Sequence, residues 1–550
     1  MLSLAHIAKA LQSELACEVV GDGSVLVTAI STDTRTISGG QTFLALRGPN
    51  HDGHDHIDAA IAAGIDAIIV EQKSDKDIAQ LVVSDTRLAL GQLARLWCQK
   101  YSAQRLAITG SNGKTTVKEM IAAILRCSVE REGGTEVLAT PGNLNNDIGL
   151  PLTCLSLQAE HRYAVLEMGT SSSGEIGYLS ALAAPEIALV NSVAAAHLEG
   201  FDSVQSIAHE KASIFSGLDA EGLAVFPLAT PYTTIFRQAS AHCKTLTFEL
   251  TDSVAANSNA DVMANVVTDF VADVVTDLAT TAHKATNDQQ HEPTVTNSAR
   301  ITLSQNLDSK LCGKSFNISL QLLGRHNLLN AVAAIATVCT LDVSEEDIVK
   351  GLASVEAVPG RLQLRNGSPA CLIDDTYNAN PASMHAAIDL LAGYPGKRVL
   401  VMGDMKELGD EELQLHAEAG RYAKDAGIES LIVVGALAAH AAVEFGKNGD
   451  SYSSKTEVAE LLHKQISAEH TVLFKGSRSA RMEEIIDQLL ELAKGDSPDG
   501  LPPGSAAVES SSVSSSDDAS DITARIDTRP VKGSGDHQSN IGISQRLVYS

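Results

Sequence analysis

A glycine-rich turn between an apolar and an amphipathic segment constrains the fold of this chain more than any other feature. Residues Ile108–Thr116 read ITGSNGKTT, and the apolar stretch Leu106–Ile108 leads into the turn. Beyond the turn, apolar residues follow the spacing of one helix face: Val117, Met120, Ile121, Ile124 and Leu125. The pattern predicts a buried strand, a tight turn and a helix that Lys114 opens.

A turn of this composition suits the phosphate groups of a nucleotide. Gly110 and Gly113 allow backbone N–H groups to converge on phosphate oxygens, and the helix N-terminus adds partial positive charge. Lys114 can reach the β- and γ-phosphates, and the hydroxyl of Thr115 can ligate Mg²⁺. The usual pattern has glycine where Ile108 stands, so this P-loop is a variant. A glycine turn followed by a chance lysine is the alternative, and the strand–loop–helix context favours phosphate binding.

Short apolar runs alternate with helical periodicity along most of the chain. The runs are continuous and rich in Val, Ile and Leu, as expected of strands buried on both faces of a parallel sheet. They are Leu106–Ile108, Tyr163–Leu166, Ile187–Val190, Leu372–Ile373, Val399–Met402, Leu431–Val434 and Val472–Phe474. This repetition predicts an α/β fold with mostly parallel sheets.

The chain of 550 residues is longer than one hydrophobic core usually serves, so we expect several domains. The predicted domains are an N-terminal domain at 1–84, a central domain at 85–340 and a C-terminal domain at 341–495. Residues 251–300 are enriched in Asn, Thr, Asp and Ala and include a near-repeat, VTDFVADVVTDL, so we predict an insertion outside the core at about 251–312. Residues 496–550 are rich in Ser, Asp, Gly and Pro, a composition typical of a disordered tail.

Composition argues against several classes of protein. With 41 Lys and Arg against 68 Asp and Glu, the formal net charge is −27, so we expect no nucleic acid and no anionic membrane as partner. No run approaches the roughly 20 apolar residues of a membrane helix, so no membrane insertion is expected. The eight cysteines are far apart and include no CxxC pair, which argues against a zinc cluster or disulfide scaffold and predicts a reducing, cytoplasmic compartment.

Polar residues follow several of the predicted strands, where the ligands of open parallel sheets bind. Glu167 follows the run Tyr163–Leu166, and His197 lies a short loop after Ile187–Val190. Glu167 as an oxygen donor and His197 as a nitrogen donor are candidate ligands of a metal ion between nucleotide and substrate. A lone histidine is more often structural, but two such residues beside a phosphate-binding loop favour the metal site.

Two further motifs leave alternatives open. GRHNLLN at 324–330 leads into an Ala-rich helix, so Asn327 and Asn330 either cap that helix or contact a nucleotide. Arg361 lies in the turn PGR, where an arginine is usually solvated. It could instead swing onto a transferring phosphate and stabilise its charge.

Together these motifs resemble the Mur ligases, a family of ATP-dependent amide-forming enzymes. ITGSNGKTT, EMG with GEI, HLEGF, GRHNLLN, PGR and DDTYNANP occur in the order and approximate spacing of that family. The resemblance covers roughly residues 28–250 and 313–490. It implies three domains: an N-terminal uridine-nucleotide substrate domain, a central P-loop ATP-binding domain and a Rossmann-like C-terminal ligase domain.

Some motifs resemble the family member that adds D-alanyl-D-alanine, namely PGNLNNDIGLPLT, DDTYNANPAS, GDMKELG and LFKGSRSARMEE. The resemblance implies a ligase that joins D-alanyl-D-alanine to UDP-N-acetylmuramoyl-tripeptide in peptidoglycan precursor synthesis. The reaction would pass through an acyl phosphate and release ADP and phosphate. ATP and Mg²⁺ are the implied cofactors, and we expect a monomer.

The resemblance also implies roles for individual residues. Those implied in catalysis are Lys114, His197, Lys211, Arg361 and Asp375. Those implied in metal binding are Thr115, Glu167, His197 and Lys211, the last as a carbamate. Those implied in ATP binding are Gly110, Ser111, Asn112, Gly113, Lys114, Thr115, Thr116, Asn327, Asn330 and Arg361. Those implied in substrate binding are Thr34 and Arg35 at the uridine-nucleotide end, and Tyr377, Asn378 and Asn380 at the dipeptide. On its spacing alone, Lys211 would be a surface helix lysine.

Two alternative functions remain. The first is another Mur-type or a folylpolyglutamate-type amino-acid ligase. The segment Ser31–Arg35, STDTR, argues against the folate enzyme, and the lack of a DNPR motif argues against the ligase that adds the third residue. The second is a non-ligase P-loop protein that binds or hydrolyses ATP without a peptide acceptor. The polar residues after the C-terminal strands make it the weaker alternative.

Overall fold

The computed structural model describes residues 2–48, 51–134, 136–195, 198–251, 259–266 and 297–495. The predictions for His197, for much of the segment 251–312 and for the tail at 496–550 therefore lie outside the described residues. Within the described ranges the chain is α/β with mostly parallel pairing, which confirms the predicted fold class. No helix among these residues is long and apolar enough to cross a membrane.

The N-terminal part forms a small sheet with helices packed against it. Its elements are β1 (Leu2–Ser3), α1 (Leu4–Leu11), β2 (Cys17–Val20), β3 (Leu26–Val27), β4 (Ile30–Ser31), β5 (Thr42–Leu44), α2 (Ile57–Ala62), β6 (Ala67–Val70) and β7 (Ala79–Val83). The strands form a sheet of order β2-β7-β6-β5-β4, in which only β2 runs antiparallel to its neighbour, and a separate pair β1-β3. Leu4, Ile7 and Leu11 recur at helical spacing and bury one face of α1 in this core.

The central part carries the largest sheet. Its elements are α3 (Thr86–Lys100), β8 (Gln104–Thr109), α4 (Lys114–Arg131), β9 (Glu136–Ala139), α5 (Gly149–Leu155), β10 (His161–Glu167), α6 (Glu175–Ala183), β11 (Ile187–Val190), α7 (Val204–Ala212), β12 (Leu223–Pro227), α8 (Thr233–Ala239), β13 (Lys244–Thr251), β14 (Val262–Val266), β15 (Asn297–Leu303), β16 (Ser315–Leu320), α9 (Arg325–Val338) and α10 (Glu345–Ala353). Helix α3 joins the first two parts, because Leu93 lies in the N-terminal core and Trp97 in the central one.

The central sheet has the order β16-β15-β14-β13-β12-β11-β8-β10-β9 in the described chain. Pairing is parallel from β14 through to β9, and the predicted strands at Leu106–Ile108, Tyr163–Leu166 and Ile187–Val190 are confirmed as β8, β10 and β11. Strand β8 lies between β10 and β11, so the loop that follows it opens at the carboxyl ends of three adjacent strands. This edge is where an open parallel sheet binds its ligands.

The described ends of the segment 251–312 do not match the predicted insertion outside the core. Strands β14 and β15 pair antiparallel and extend the central sheet. Val262, Ala264, Ala299 and Ile301 are fully buried in the main core. Both strands alternate buried and more exposed positions, as half-buried antiparallel strands do, and β15 also alternates apolar and polar residues, so a search for long continuous apolar runs does not detect them.

Helix α10 belongs to the central core, although it follows the predicted boundary at residue 341. Ile348 and Leu352 are buried with the residues of α4, and a Cβ at Gly351 would lie 2.6 Å from the Cα of Ile124. Glycine at 351 thus permits close contact between the two helices. This packing favours a domain boundary after Val355, and the division into domains remains a prediction.

The C-terminal part is a second, mostly parallel α/β unit. Its elements are β17 (Gln363–Arg365), β18 (Cys371–Asp375), α11 (Pro381–Ala392), β19 (Lys397–Gly403), α12 (Glu412–Asp425), β20 (Ser430–Val434), α13 (Ala439–Phe445), β21 (Gly449–Tyr452), α14 (Lys455–Gln465), β22 (His470–Lys475) and α15 (Glu483–Gly495). The sheet order is β17-β18-β22-β19-β20-β21, with only β17 antiparallel to its neighbour. The four predicted apolar runs lie in β18, β19, β20 and β22, so these predictions are confirmed.

Candidate active site

The glycine-rich loop lies between β8 and α4, as the sequence predicts. Gly113 has φ of +78°, and Lys114 is the first residue of α4. A Cβ at Gly113 would lie 2.6 Å from the Nδ2 atom of Asn191 and would also clash with the Oδ1 atom of Asn330. Both the backbone conformation and the close approach therefore require glycine at 113.

A chain of buried asparagines supports this loop. The Nδ2 group of Asn191 donates to the backbone oxygen of Asn112 at 3.0 Å and to the Oδ1 atom of Asn330 at 2.9 Å. Asn330 in turn donates to the Oδ1 atom of Asn327 at 2.9 Å. Both Asn327 and Asn330 lie inside α9, whose N-cap is Gly324, so the helix-capping alternative is wrong. Asn191 was not among the residues predicted from the sequence. It could have been found because it directly follows the predicted strand Ile187–Val190.

Lys114 is half-buried at the start of α4. Its Nζ atom donates to the backbone oxygen of Gly110 at 2.7 Å. Burial lowers the pKa of Lys114, and the nearby Arg361 lowers it further, while Glu167 opposes the shift. A bound phosphate would add the negative charge that this ammonium needs, which is consistent with the predicted role.

Glu167 ends β10 and is 1% exposed. Its Oε1 atom accepts a hydrogen bond from Asn145 at 2.8 Å. Its Oε2 atom is buried and has no hydrogen-bond partner among the described residues. An unpaired, buried carboxylate oxygen is costly unless a further group binds it, so this atom suits a cation.

Of the other predicted metal ligands, the structure describes Thr115 but not His197. The hydroxyl of Thr115 accepts a hydrogen bond from Arg361 at 3.1 Å. His197 lies outside the described residues, so its predicted role is untested. Among the residues with described positions, no three His, Cys, Asp or Glu side chains form a group that could hold a metal ion. The orphaned oxygen of Glu167 and the Thr115 hydroxyl fit an oxygen-preferring divalent cation, and Mg²⁺ remains a proposal.

Lys211 is not the surface lysine that its spacing suggests. It lies in α7 and is 2% exposed. Burial lowers the pKa of Lys211 well below its ordinary value, and Lys114 lowers it further, while Glu210 opposes the shift. A lysine with a lowered pKa is more often neutral, and the neutral amine is the form that reacts with carbon dioxide.

Arg361 connects the C-terminal part to the glycine-rich loop. Its guanidinium donates to the Thr115 hydroxyl and lies over the ring of Tyr377, with 4.2 Å from its central carbon to the ring centroid. Its Nε atom is buried without a partner among the described residues. The solvated-surface alternative for Arg361 is therefore wrong, and its role at a transferring phosphate remains a prediction.

Asp375 ends β18 and pairs with a lysine that the predicted site did not include. Lys475 donates to the Oδ2 atom of Asp375 at 2.7 Å and to the backbone oxygen of Asn378 at 2.9 Å. Burial lowers the pKa of nearby His326, with Lys475 acting in the same direction and Asp375 against it. Lys475 was detectable because it directly follows the run Val472–Phe474.

Asn380 contacts the loop from the opposite side. It is the N-cap of α11, where its Oδ1 atom accepts from the backbone N–H of Ser383 at 2.9 Å. Its Nδ2 group donates to the Oδ1 atom of Asn112 at 2.8 Å. Asn380 therefore joins the start of α11 to the loop, and its predicted contact with the dipeptide remains a prediction.

A cavity of about 700 Å³ brings most of the predicted site residues together. Those that line it are Ser111, Asn112, Gly113, Lys114, Thr115, Thr116, Glu167, Asn327, Asn330, Arg361, Asp375, Tyr377, Asn378 and Asn380. Gly110 and Lys211 do not line it; Gly110 accepts the hydrogen bond from Lys114, and Lys211 is buried in α7. Thr34 and Arg35 lie in the N-terminal part, where Arg35 pairs with Asp33 at 2.6 Å, and they do not line the cavity.

Family models match all three parts of the chain. The Mur ligase family catalytic domain matches residues 26–98, the Mur ligase middle domain matches 108–338, and the Mur ligase glutamate ligase domain matches 360–478. The matches include the glycine-rich loop and the strands around the cavity. The chain belongs to the Mur ligase family.

Individual relatives narrow the comparison. The UDP-N-acetylmuramoyl-tripeptide–D-alanyl-D-alanine ligase of Escherichia coli (strain K12) is 40% identical over 471 residues, which are 85% of this chain and 94% of that protein. A crystal structure of MurF from Acinetobacter baumannii matches with a TM-score of 0.74 at 33% identity, covering 89% of this chain and 99% of that one. The MurF ligase from Thermotoga maritima in complex with ADP matches with a TM-score of 0.69 at 26% identity, covering 86% and 100%. The predicted Mur ligase architecture is therefore confirmed.

Proposed function

We propose that this chain is an ATP-dependent ligase that joins D-alanyl-D-alanine to UDP-N-acetylmuramoyl-tripeptide in peptidoglycan precursor synthesis. One observation carries the proposal: Arg361, from the C-terminal part, bonds to Thr115 of the glycine-rich loop at the cavity. A nucleotide bound at the loop would thus meet groups from both parts. The similar ligases named above support the choice of substrates.

The first step activates the acceptor carboxylate, which is a poor electrophile. A carboxylate oxygen forms a bond to the γ-phosphorus of ATP, the bond from that phosphorus to the bridging oxygen breaks, and ADP leaves. Lys114 and Arg361 lie where they can balance the charge of the approaching anions. The backbone N–H groups of residues 110–113 and of the first turn of α4 would cradle the phosphates.

The second step forms the amide bond. The amine of D-alanyl-D-alanine attacks the acyl carbon, loses a proton, and the bond from that carbon to the phosphate oxygen breaks. Tyr377, Asn378 and Asn380 line the cavity on the C-terminal side and are the proposed dipeptide contacts. Asp375 and Lys475 form an ion pair beside them. Enclosing the acyl phosphate between the two parts excludes water.

Two features would hold the cation that accompanies ATP. Glu167 and Thr115 are the described residues whose oxygens suit Mg²⁺, and His197 is a further proposed ligand. Mg²⁺ bound there would supply a Lewis acid that reduces repulsion between the phosphates and the carboxylate. Lys211 is proposed to carry a carbamate, formed when its neutral amine adds to carbon dioxide and releases a proton. Its lowered pKa supports this chemistry.

Other proposals concern the setting of the enzyme. The eight cysteines are free of disulfides, which supports the predicted reducing, cytoplasmic compartment. The monomeric state remains a prediction. The uridine-nucleotide contacts of Thr34 and Arg35 also remain predictions, because neither residue lines the described cavity.

The decisive experiment measures ADP formation with each substrate omitted in turn. We expect ADP to form only when UDP-N-acetylmuramoyl-tripeptide and D-alanyl-D-alanine are both present with ATP and Mg²⁺. Lys114→Ala should lose this activity by about 100-fold or more while keeping the wild-type melting temperature. ADP formation without either co-substrate would favour the P-loop alternative, and equal use of single amino acids would favour another ligase of the family.

A further inference from the structure

Lys118, one helical turn beyond Lys114, is a buried lysine that the proposed reaction does not use. Its side chain is 1% exposed. The Nζ atom donates to the backbone oxygen of Thr140 at 2.7 Å and lies 3.0 Å from the Oε1 atom of Glu119. It also lies 4.0 Å from the Oε2 atom of Glu167. Burying an ammonium is costly unless an opposite charge accompanies it, so the position of Lys118 calls for an explanation.

Glu167 has the complementary requirement. Asn145 satisfies its Oε1 atom, and no described group donates a hydrogen bond to Oε2. The backbone N–H of Glu167 donates to the Thr140 hydroxyl at 2.9 Å, so Thr140 contacts both the lysine and the glutamate. The ammonium of Lys118 thus lies 4.0 Å from Oε2 without a hydrogen bond to it.

Glu119 does not explain the burial of this lysine. Its side chain is 35% exposed, so water already solvates its charge, whereas the side chain of Glu167 is 2% exposed. Opposite charges attract more strongly where water is excluded. The buried partner of Lys118 is therefore Glu167.

We propose that Lys118 is a positioning residue that acts as a built-in counter-ion of Glu167. Its charge stabilises the buried carboxylate before a cation binds, and its distance from Oε2 leaves that oxygen open. A divalent cation bound at Oε2 would then neutralise the negative charge of Glu167 in place of Lys118. The inference rests on the proposed function only in that Oε2 receives the cation that accompanies ATP.

The first test is a double-mutant cycle on melting temperature in metal-free buffer. Lys118→Met keeps the length of the side chain and removes its charge, so we expect a loss of several degrees. Glu167→Gln removes the charge that Lys118 balances, so the double variant should recover most of that loss. Additive losses would overturn the proposal. Failure of both Lys118→Met and the double variant to fold would also overturn it, because Lys118 would then be needed for another reason.

The second test asks whether a cation replaces the missing ammonium. Without nucleotide, Mn²⁺ should raise the melting temperature of Lys118→Met by several degrees more than that of the wild type. Electron paramagnetic resonance should show Mn²⁺ binding to Lys118→Met about tenfold more tightly, because the repelling charge beside Oε2 is gone. A purely structural lysine predicts equal responses of both proteins, and that result would overturn the proposal.

The matched control is Glu119→Gln, which removes the exposed partner of Lys118 and leaves Glu167 intact. It should respond to Mn²⁺ as the wild type does. If Glu119→Gln reproduces the response of Lys118→Met, the proposal is overturned, because Glu119 would then be the relevant partner. Neither readout depends on ligase activity, so the counter-ion role and the proposed function can fail separately.

Discussion

Gly113 shows how a single residue can determine a binding loop. Its φ of +78° directs the backbone from the loop into α4, and the missing side chain leaves room for the amides of Asn191 and Asn330. Those amides in turn hold the backbone oxygen of Asn112 and the middle of α9. Loop shape and buried polar contacts thus depend on the same position.

We expect Gly113→Ala to weaken nucleotide binding at least tenfold. The new Cβ would strain the backbone by roughly 1–2 kcal/mol and displace the amide of Asn191, which lies 2.6 Å from the Cβ position. Titration calorimetry with ADP and thermal melting would measure both effects. The control is Gly133→Ala, since Gly133 has φ of +97° and no atom within 4 Å of its Cβ position. Equal losses of affinity in the two variants would contradict the steric argument.

The buried amine of Lys211 predicts a pH dependence of stability. Burial lowers its pKa in the folded chain, whereas the unfolded chain keeps the ordinary value of 10.5. Between these two pKa values the unfolded chain binds more protons, so the unfolding free energy of the wild type rises with pH. Lys211→Met lacks this contribution. Well below pH 10.5 we therefore expect Lys211→Met to be more stable than the wild type, and the difference in unfolding free energy should shrink as the pH approaches 10.5.

Urea unfolding in buffer freed of carbon dioxide would measure this difference at several pH values. Lys350→Met is a suitable control because the Lys350 side chain is 68% exposed, and it should keep the wild-type slope. A constant difference between Lys211→Met and the wild type across the range would contradict the predicted burial effect.

Sequence reasoning found those site residues whose position in the chain reveals their role. Glu167 and Asp375 were predictable because each follows an apolar run. Lys118 was not, because a lysine among helix residues usually faces solvent, and only the fold places Thr140 and Glu167 beside it. The burial of Lys211 depends in the same way on packing that no local pattern encodes.

At the scale of secondary structure, the N-cap residue of α11 both caps its own helix and contacts the glycine-rich loop. Asn380 and Ser383 form a capping box there, and Asn380 also donates to Asn112 of the glycine-rich loop. The cap satisfies backbone N–H groups that would otherwise lack partners. The helix is therefore stabilised by the same side chain that contacts the loop.

We expect Asn380→Ala to lower stability by about 1 kcal/mol and to raise the KM for ATP several-fold. The first effect reflects the lost cap, and the second reflects the lost hydrogen bond to Asn112. Ser454→Ala is the matched control, because Ser454 caps α14 by accepting from the N–H of Glu457. It should lower stability similarly and leave the KM unchanged. A normal KM in Asn380→Ala would remove the proposed link to the loop.

The elements that were predicted and those that were missed differ in periodicity. Strand β11 is a fully buried, continuous apolar run, and β8 contains such a run at Leu106–Ile108, so both were predicted. Strands β14 and β15 alternate between core and exposed faces and lie in a polar region of sequence, so they were not. The membership of α10 in the central core depends on the close approach at Gly351, a contact that sequence spacing does not reveal.

At the scale of the whole molecule, the cavity exists only because two α/β parts meet. The sequence predicted both parts and the strand ends that line them, and it placed Arg361 in a turn with two possible roles. The choice between these roles required the fold, because the contact from Arg361 to Thr115 spans the two parts. Residues at such a contact cannot be assigned from either part alone.

We expect Arg361→Lys to lower kcat by roughly 100-fold with little change in melting temperature. Lysine keeps the charge but loses the planar group that lies over Tyr377 and bonds to Thr115. Phosphate release with all substrates present would measure the effect. Arg398→Lys, a change at the amino end of β19 beside Glu429, should leave kcat unchanged. A normal kcat in Arg361→Lys would exclude its proposed role at the phosphate.

The contact of α10 with α4 limits how far the two parts can separate. Because Gly351 holds α10 to the central part and Val355 is buried in the same core, the tether to Arg361 consists only of residues 356–360. Fully extended, such a tether reaches about 17 Å. A tether this short keeps the effective concentration of the Arg361 side chain at the glycine-rich loop in roughly the millimolar range. The C-terminal part of the site therefore stays close to the central part, and each reaction cycle begins with both parts within reach of each other.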